Sequence, residues 1–134
     1  MTFKVKDALV CDEARREDNG KHFLIGVYSG DIVVPAPTTL KLCVWMVGEK
    51  SKTEDVSVQV KVETLDVAGS MRSSNTFTFN IVQDGNEYTV LQIQSLVSIE
   101  SAGAVVVAVN DGDSNWKEVI HKAIVFDNVP QLVH

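Results

Sequence analysis

A chain of 134 residues with 45% hydrophobic and 22% charged side chains is long enough to close one globular core without disulfide or metal, and too apolar to stay disordered. Its formal charge of −6 and pI near 4.9 oppose contact with phosphate backbones and anionic lipid, so neither nucleic acid nor membrane is an expected partner. No apolar run approaches the ~20 residues that span a bilayer, and Lys4, Lys6 and Asp7 interrupt the N-terminus too early for a secretory signal; a cytoplasmic protein is expected.

In chain order, the first predicted element is a strand over Phe3 to Cys11. Asp12 to Asp18 allows one helical turn at most, and Asn19-Gly20 supplies a reversal, since both residues tolerate positive φ. Phe23, Ile25 and Val27 alternate as a short strand, with Gly26 marking a bulge or a close backbone approach. Pro35-Ala36-Pro37 removes two donors and ends pairing after Val34. Leu40, Leu42, Val44 and Met46 share one strand face and Trp45 takes the other. Between Asp55 and Asp66, Val56, Val58, Val60 and Val62 alternate with Ser57, Gln59, Lys61 and Glu63, a period of two that a helix would scatter.

Ala68 to Asn75 is polar and reads as an exposed loop, followed by Phe77, Phe79 and Ile81 alternating against Thr76, Thr78 and Asn80. After the Asp84-Gly85 turn, Tyr88 to Ile99 carries Leu91 and Ile93, then Leu96 and Ile99, a change of spacing that predicts a bulge or bend. Gly103 to Val109 is apolar at almost every position, as in a strand covered on both faces or lying at a subunit contact. Asp111-Gly112 is a further turn, and Trp116 to Phe126 closes the set. About eight strands with little or no helix predict one all-β domain over residues 1–134. The preferred architecture is an antiparallel β-sandwich, immunoglobulin-like or C2-like, rather than a closed barrel.

The most distinctive segment is Leu9-Val10-Cys11-Asp12, then Arg15-Arg16-Glu17-Asp18-Asn19-Gly20-Lys21, then Leu24-Ile25-Gly26-Val27-Tyr28. It resembles a family of small, mostly bacterial proteins of unknown function, whose members join a strand ending in Cys-Asp, an Arg-x-Glu-x-Asn-Gly-Lys turn and a Leu-Ile-Gly-Val-Tyr strand. The resemblance implies no reaction or ligand. On the residues alone, Asp12, Arg15, Arg16, Glu17, Asp18, Asn19 and Lys21, with Glu13 among them, form a charged connection that either clamps the fold or presents a recognition patch.

Other chemistry is thinly represented. Asp111, Asp113 and Asn115 imitate the opening of a calcium loop, but its sixth and twelfth positions hold Trp116 and Lys122 in place of Gly and Glu. His22, His121 and His134 are dispersed, and His121 is expected as a hydrogen-bonded structural residue. Cys11 and Cys43 lie in apolar strands and read as reduced, buried thiols, a mutual disulfide being the alternative. Trp45 and Trp116 are expected as packing anchors, or as a sugar platform should both face one surface. No cofactor is expected. The pattern points to a non-catalytic protein-interaction or structural module, engaging a protein partner or a second copy. A carbohydrate- or calcium-binding sandwich and an enzyme with a dispersed site remain as alternatives.

Overall fold

The valine stripe of the sequence is the floor of the observed core: Val56, Val58, Val60 and Val62 are all buried, while Ser57 and Gln59 face solvent. The computed structural model describes residues 3–18, 20–111 and 115–127. These described residues form nine strands: β1 (Lys4–Arg16), β2 (His22–Val27), β3 (Ile32–Val34), β4 (Thr38–Glu49), β5 (Val56–Asp66), β6 (Met71–Ile81), β7 (Tyr88–Ile99), β8 (Gly103–Asn110) and β9 (Lys117–Phe126). They form a four-stranded sheet ordered β2-β1-β4-β7 and a five-stranded sheet ordered β3-β9-β8-β5-β6. Val10, Leu42, Val44, Met46, Leu91, Ile93, Val97 and Ile99 from the first sheet meet Val58, Val60, Val105, Val107, Ile120 and Ile124 from the second. The protein is an all-β sandwich.

Several expectations are corrected by the register. The ninth strand is β3, three residues long and bounded by the Pro35 bend, and it pairs with β9 in parallel, so the sandwich is not wholly antiparallel. The predicted loop over Ala68 to Asn75 is mostly strand, because β6 begins at Met71; β6 is an edge strand wet on both sides of its first half, and so lacks the alternation that identifies strands. Tyr88 to Ile99 has no bulge. It pairs with β4 without a register break from Thr38↔Ile99 to Glu49↔Tyr88, and a buried Ser95 among inward apolar residues with an outward Leu96 disguised the alternation. Residues Asp12 to Arg16 are strand, not a helical turn.

The apolar β8 is central and covered on both faces. Its outward Ala104, Val106 and Ala108 are small and buried, flanked by longer side chains on the neighbouring strands: Lys61 and Glu118 beside Ala108, Glu63 and His121 beside Val106. Lys61 pairs with Glu63 at 3.3 Å and lies 4.3 Å above the Trp116 ring. Gly103 opens β8 where a Cβ would fall 1.9 Å from the Leu65 carbonyl oxygen, so only glycine fits this crossing without displacement of backbone.

Candidate functional site

The charged segment between Leu9 and Tyr28 forms a bent hairpin. β1 pairs with β4 only as far as Cys11, whereas Cys11 to Arg16 pair with β2. At the departure point Asp12 lies against Gly26, whose φ is +68° and whose missing Cβ would fall 2.2 Å from Asp12 Oδ2. Of the two expectations for Gly26, the close approach holds, whereas the register of β1 against β2 runs on without a bulge. Beyond this point the hairpin leans over the outer face of the four-stranded sheet. Gln92 Nε2, on β7, donates to the Ala14 carbonyl at 2.9 Å, although β4 lies between β1 and β7 in the sheet. The His22 ring meets Trp45 of β4 edge-on, with centroids 6.0 Å apart. Ala14 and Leu24 pack with Cys11, Cys43 and Trp45 into a second apolar cluster.

Strand alternation then gives the hairpin two faces. Ala14, Arg16, His22 and Leu24, which are cross-strand neighbours, point toward the sheet. Glu13, Arg15, Phe23 and Ile25 point away from it, and Phe23 is 53% exposed, Ile25 37% and Val27 47%. Phe23 and Ile25 thus form an apolar pair on the solvent side of an edge strand, and Val27, past Gly26 and opposite Cys11, is exposed as well. Sequence periodicity identified the alternation but not the direction in which it faces.

The charged residues are divided among different tasks and do not converge. Arg15 makes a forked bond to Glu13, at 2.9 and 3.3 Å, and holds that carboxyl below its ordinary range. Arg16 lines a hollow beneath the hairpin tip. Asp12 belongs to the bend, and the Tyr28 phenol beside it is pushed up, first by burial and then by the Asp12 charge. Glu17 closes the turn through its backbone, donating to the Lys21 carbonyl at 2.7 Å and accepting from the Gly20 N–H at 3.0 Å. Asp18 and Lys21 are exposed at the tip, and Asn19 lies outside the described residues.

The hollow is open to solvent and about 430 Å³ in volume, bounded by Arg16 and His22 on the hairpin, Val47 and Val90 on the sheet, and Asp84 and Tyr88 beyond. Its far wall is held by a feature the sequence did not single out. Lys50, with its side chain 1% exposed, donates to Asp84 Oδ1 at 2.7 Å, to the Asn86 carbonyl at 2.8 Å and to the Ser51 carbonyl at 3.3 Å. The Lys50 ammonium, with help from the Asn86 N–H groups, lowers the Asp84 carboxyl to about 2.

The remaining candidates are scattered. Asp111 accepts a bond from the Phe3 N–H at 3.3 Å and Asn115 is exposed, while Asp113 lies outside the described residues, as does His134. No three His, Cys, Asp or Glu side chains gather as a metal-binding group among the described residues. His121 is hydrogen-bonded, to Glu118 at 2.8 Å, but on the solvent face. Trp45 covers the outside of one sheet and Trp116 the outside of the other, so neither anchors sheet to sheet and they share no surface. Cys11 and Cys43 are free, fully buried and directly opposite on β1 and β4. Burial, and then the neighbouring Cys43, push the Cys11 thiol up to about 12, so it stays protonated and unreactive at neutral pH.

The model of a family of unknown function, DUF6941, matches residues 6–119, from β1 into β9. The chain belongs to this family. The match includes the bent hairpin, the Lys50–Asp84 contact and every strand except the start of β1 and most of β9. No curated protein matches the sequence. A solved β-glucosidase from Erythrobacter marinus is similar at 12% identity and a TM-score of 0.41; the alignment covers 92% of the DUF6941 chain and 15% of the glucosidase. Among the described residues of this DUF6941 protein, no helix is long and apolar enough to cross a membrane.

Proposed function

We propose that this chain is a non-catalytic protein-interaction module whose contact surface is the outward face of the bent hairpin. The observation that carries this reading is the exposure of Phe23 and Ile25 together on one side of β2, beside the Arg15–Glu13 pair and followed by the exposed Val27. Large apolar side chains grouped on a surface and bordered by charge are a mark of protein contact sites. The opposite face of the same hairpin is held by Gln92 and Trp45, so little chain entropy is lost when a partner docks. Anchoring and presentation belong to opposite sides of one element, which lets the two be separated by mutation.

The variant Phe23→Ser with Ile25→Thr tests this reading. Both residues are solvent-facing, so the melting temperature should stay within about 2 °C of wild type, in keeping with the small effects of surface substitution. Affinity for a protein partner, measured by titration calorimetry after its identification by cross-linking, should fall at least tenfold, roughly the loss of one hot-spot contact. Unchanged affinity, or a variant that unfolds, would overturn the assignment of this face as the contact surface.

A further inference from the structure

The two sides of the sandwich are defended unequally. On one side lie the edge strands β2 and β3. β2 is bent at Gly26, and β3 is three residues long and followed by Pro35 and Pro37, devices that stop an edge from pairing with another chain. On the other side lie β6 and β7, the outermost strands of their sheets, joined by the short connection over residues 82–87. β7 is 12 residues long and contains no charge, proline or glycine from Tyr88 to Ile99. Its ladder with β4 has no bulge. β6 carries no charge from Ser73 to Ile81. The core is open along this side, since Phe77, Phe79 and Ile81 are only half-buried, and Leu96 on the outer face of β7 is 69% exposed.

We propose that the β6–β7 side is covered by a second copy of this chain, with β7 pairing antiparallel to β7 of the other copy across a two-fold axis. This rests on the reading of the chain as an interaction module, but not on the hairpin as its contact. Charge selects the occupant. Two chains of net charge −6 repel, and in a two-fold antiparallel contact residue i meets j while j meets i, so carboxylates along the edge would face the carboxylates of the other copy. An uncharged 12-residue strand is a place where two such chains meet without that penalty. The area is sufficient. Twelve residues extend about 40 Å, and two sheets about 10 Å apart present an edge roughly 15 Å deep, giving about 600 Å² per copy and about 1,200 Å² in total, the lower bound for a specific interface. The partner strand would satisfy the outward backbone groups of β7 and close the gap in front of Phe77 and Phe79.

Sedimentation velocity on the full chain, with the variants Leu96→Glu and Gln94→Glu, tests the proposal. Leu96 lies directly opposite Lys41 on β4, so a glutamate there gains a partner within its own chain and the monomer keeps its fold; Gln94 is exposed and opposite Cys43. Circular dichroism and the melting curve check both variants. The wild type should sediment at twice the 14.7 kDa chain mass at tens of micromolar and dissociate on dilution, and the double variant should be a folded monomer at the same concentration. A wild type that stays monomeric at about 100 µM, or a double variant that remains dimeric, overturns the proposal. A monomeric wild type that binds a different protein through Phe23 overturns only the second-copy assignment. A dimer whose Phe23→Ser, Ile25→Thr form binds its partner undiminished overturns only the hairpin reading.

Discussion

At the scale of single residues, the chemistry of this chain lies mostly in groups that are silenced by burial or occupied by structure. Cys11 and Cys43 are the nearest approach to a reactive pair, and the Cys11 thiol is raised to about 12. Iodoacetamide at pH 8 should therefore leave both thiols unmodified in the native chain and label both after unfolding in guanidinium; rapid native labelling read by mass spectrometry would contradict this. Asp84 gives a pH dependence of defined sign. Its folded value of about 2 lies below the ordinary 3.8, so its contribution is complete above pH 4 and disappears as the pH falls toward 2. The melting temperature of the wild type should exceed that of Asp84→Asn at pH 6, and the difference should narrow between pH 4 and 2; a difference independent of pH would contradict the Lys50 contact. Lys50 itself could not be recognised from sequence. It is one lysine in a polar turn, and only the fold brings Asp84 and the Asn86 carbonyl to its ammonium group.

At the scale of elements, legibility followed solvation. Strands with one wet and one dry face, β4 and β5 above all, were plain from alternation, because burial selects every second residue. The first half of β6 is wet on both faces and reads as a loop, and β7 hides its alternation behind Ser95 and Leu96. The hairpin is the instructive case. Its charges and the alternation of Phe23, Ile25 and Val27 were visible, but period two does not report which face meets the core, nor that Gly26 sets Val27 opposite Cys11 and apart from Ile25. The bend at Asp12 and Gly26 decides that, and the hairpin beyond it is held by Gln92, 78 residues past Ala14, and by Trp45, packed on His22. His22 Nδ1 and Trp45 Nε1 in the dock, like Ser95 Oγ on the inward face of β7, are enclosed without a hydrogen-bond partner, and each costs stability where it lies. Where β8 crosses β5 the constraint is backbone against backbone. Gly103→Ala should lower stability by about 1–3 kcal/mol, as overpacking does in a tight core, measured by urea denaturation; an unchanged midpoint would contradict the approach to the Leu65 carbonyl.

At the scale of the whole molecule, the fold class followed from composition and periodicity, while the distribution of exposed apolar surface did not. Once strands are many and helices lacking, a half-apolar sheet must be covered by another or close on itself, and the expected sandwich is the solution observed here. Which apolar residues are left over depends on sheet order, and sheet order sets β8 in the centre and β6 and β7 at the rim. The apolar strand that suggested a contact in the sequence is therefore core, and exposed apolar side chains lie instead on the hairpin, at Leu96 on the uncharged edge and at the Val33–Val125 pair of β3 and β9. The account turns on the opposed faces of the hairpin, one structural and one presented. The most direct test installs a photo-cross-linking amino acid at position 25 or, as a control, at position 14, in the full chain expressed in its native host. Ile25 faces solvent and Ala14 packs against Cys11 and Cys43, so irradiation should yield a discrete protein adduct from position 25 and none from position 14. No adduct at position 25, or equal adducts from both positions, would contradict the account.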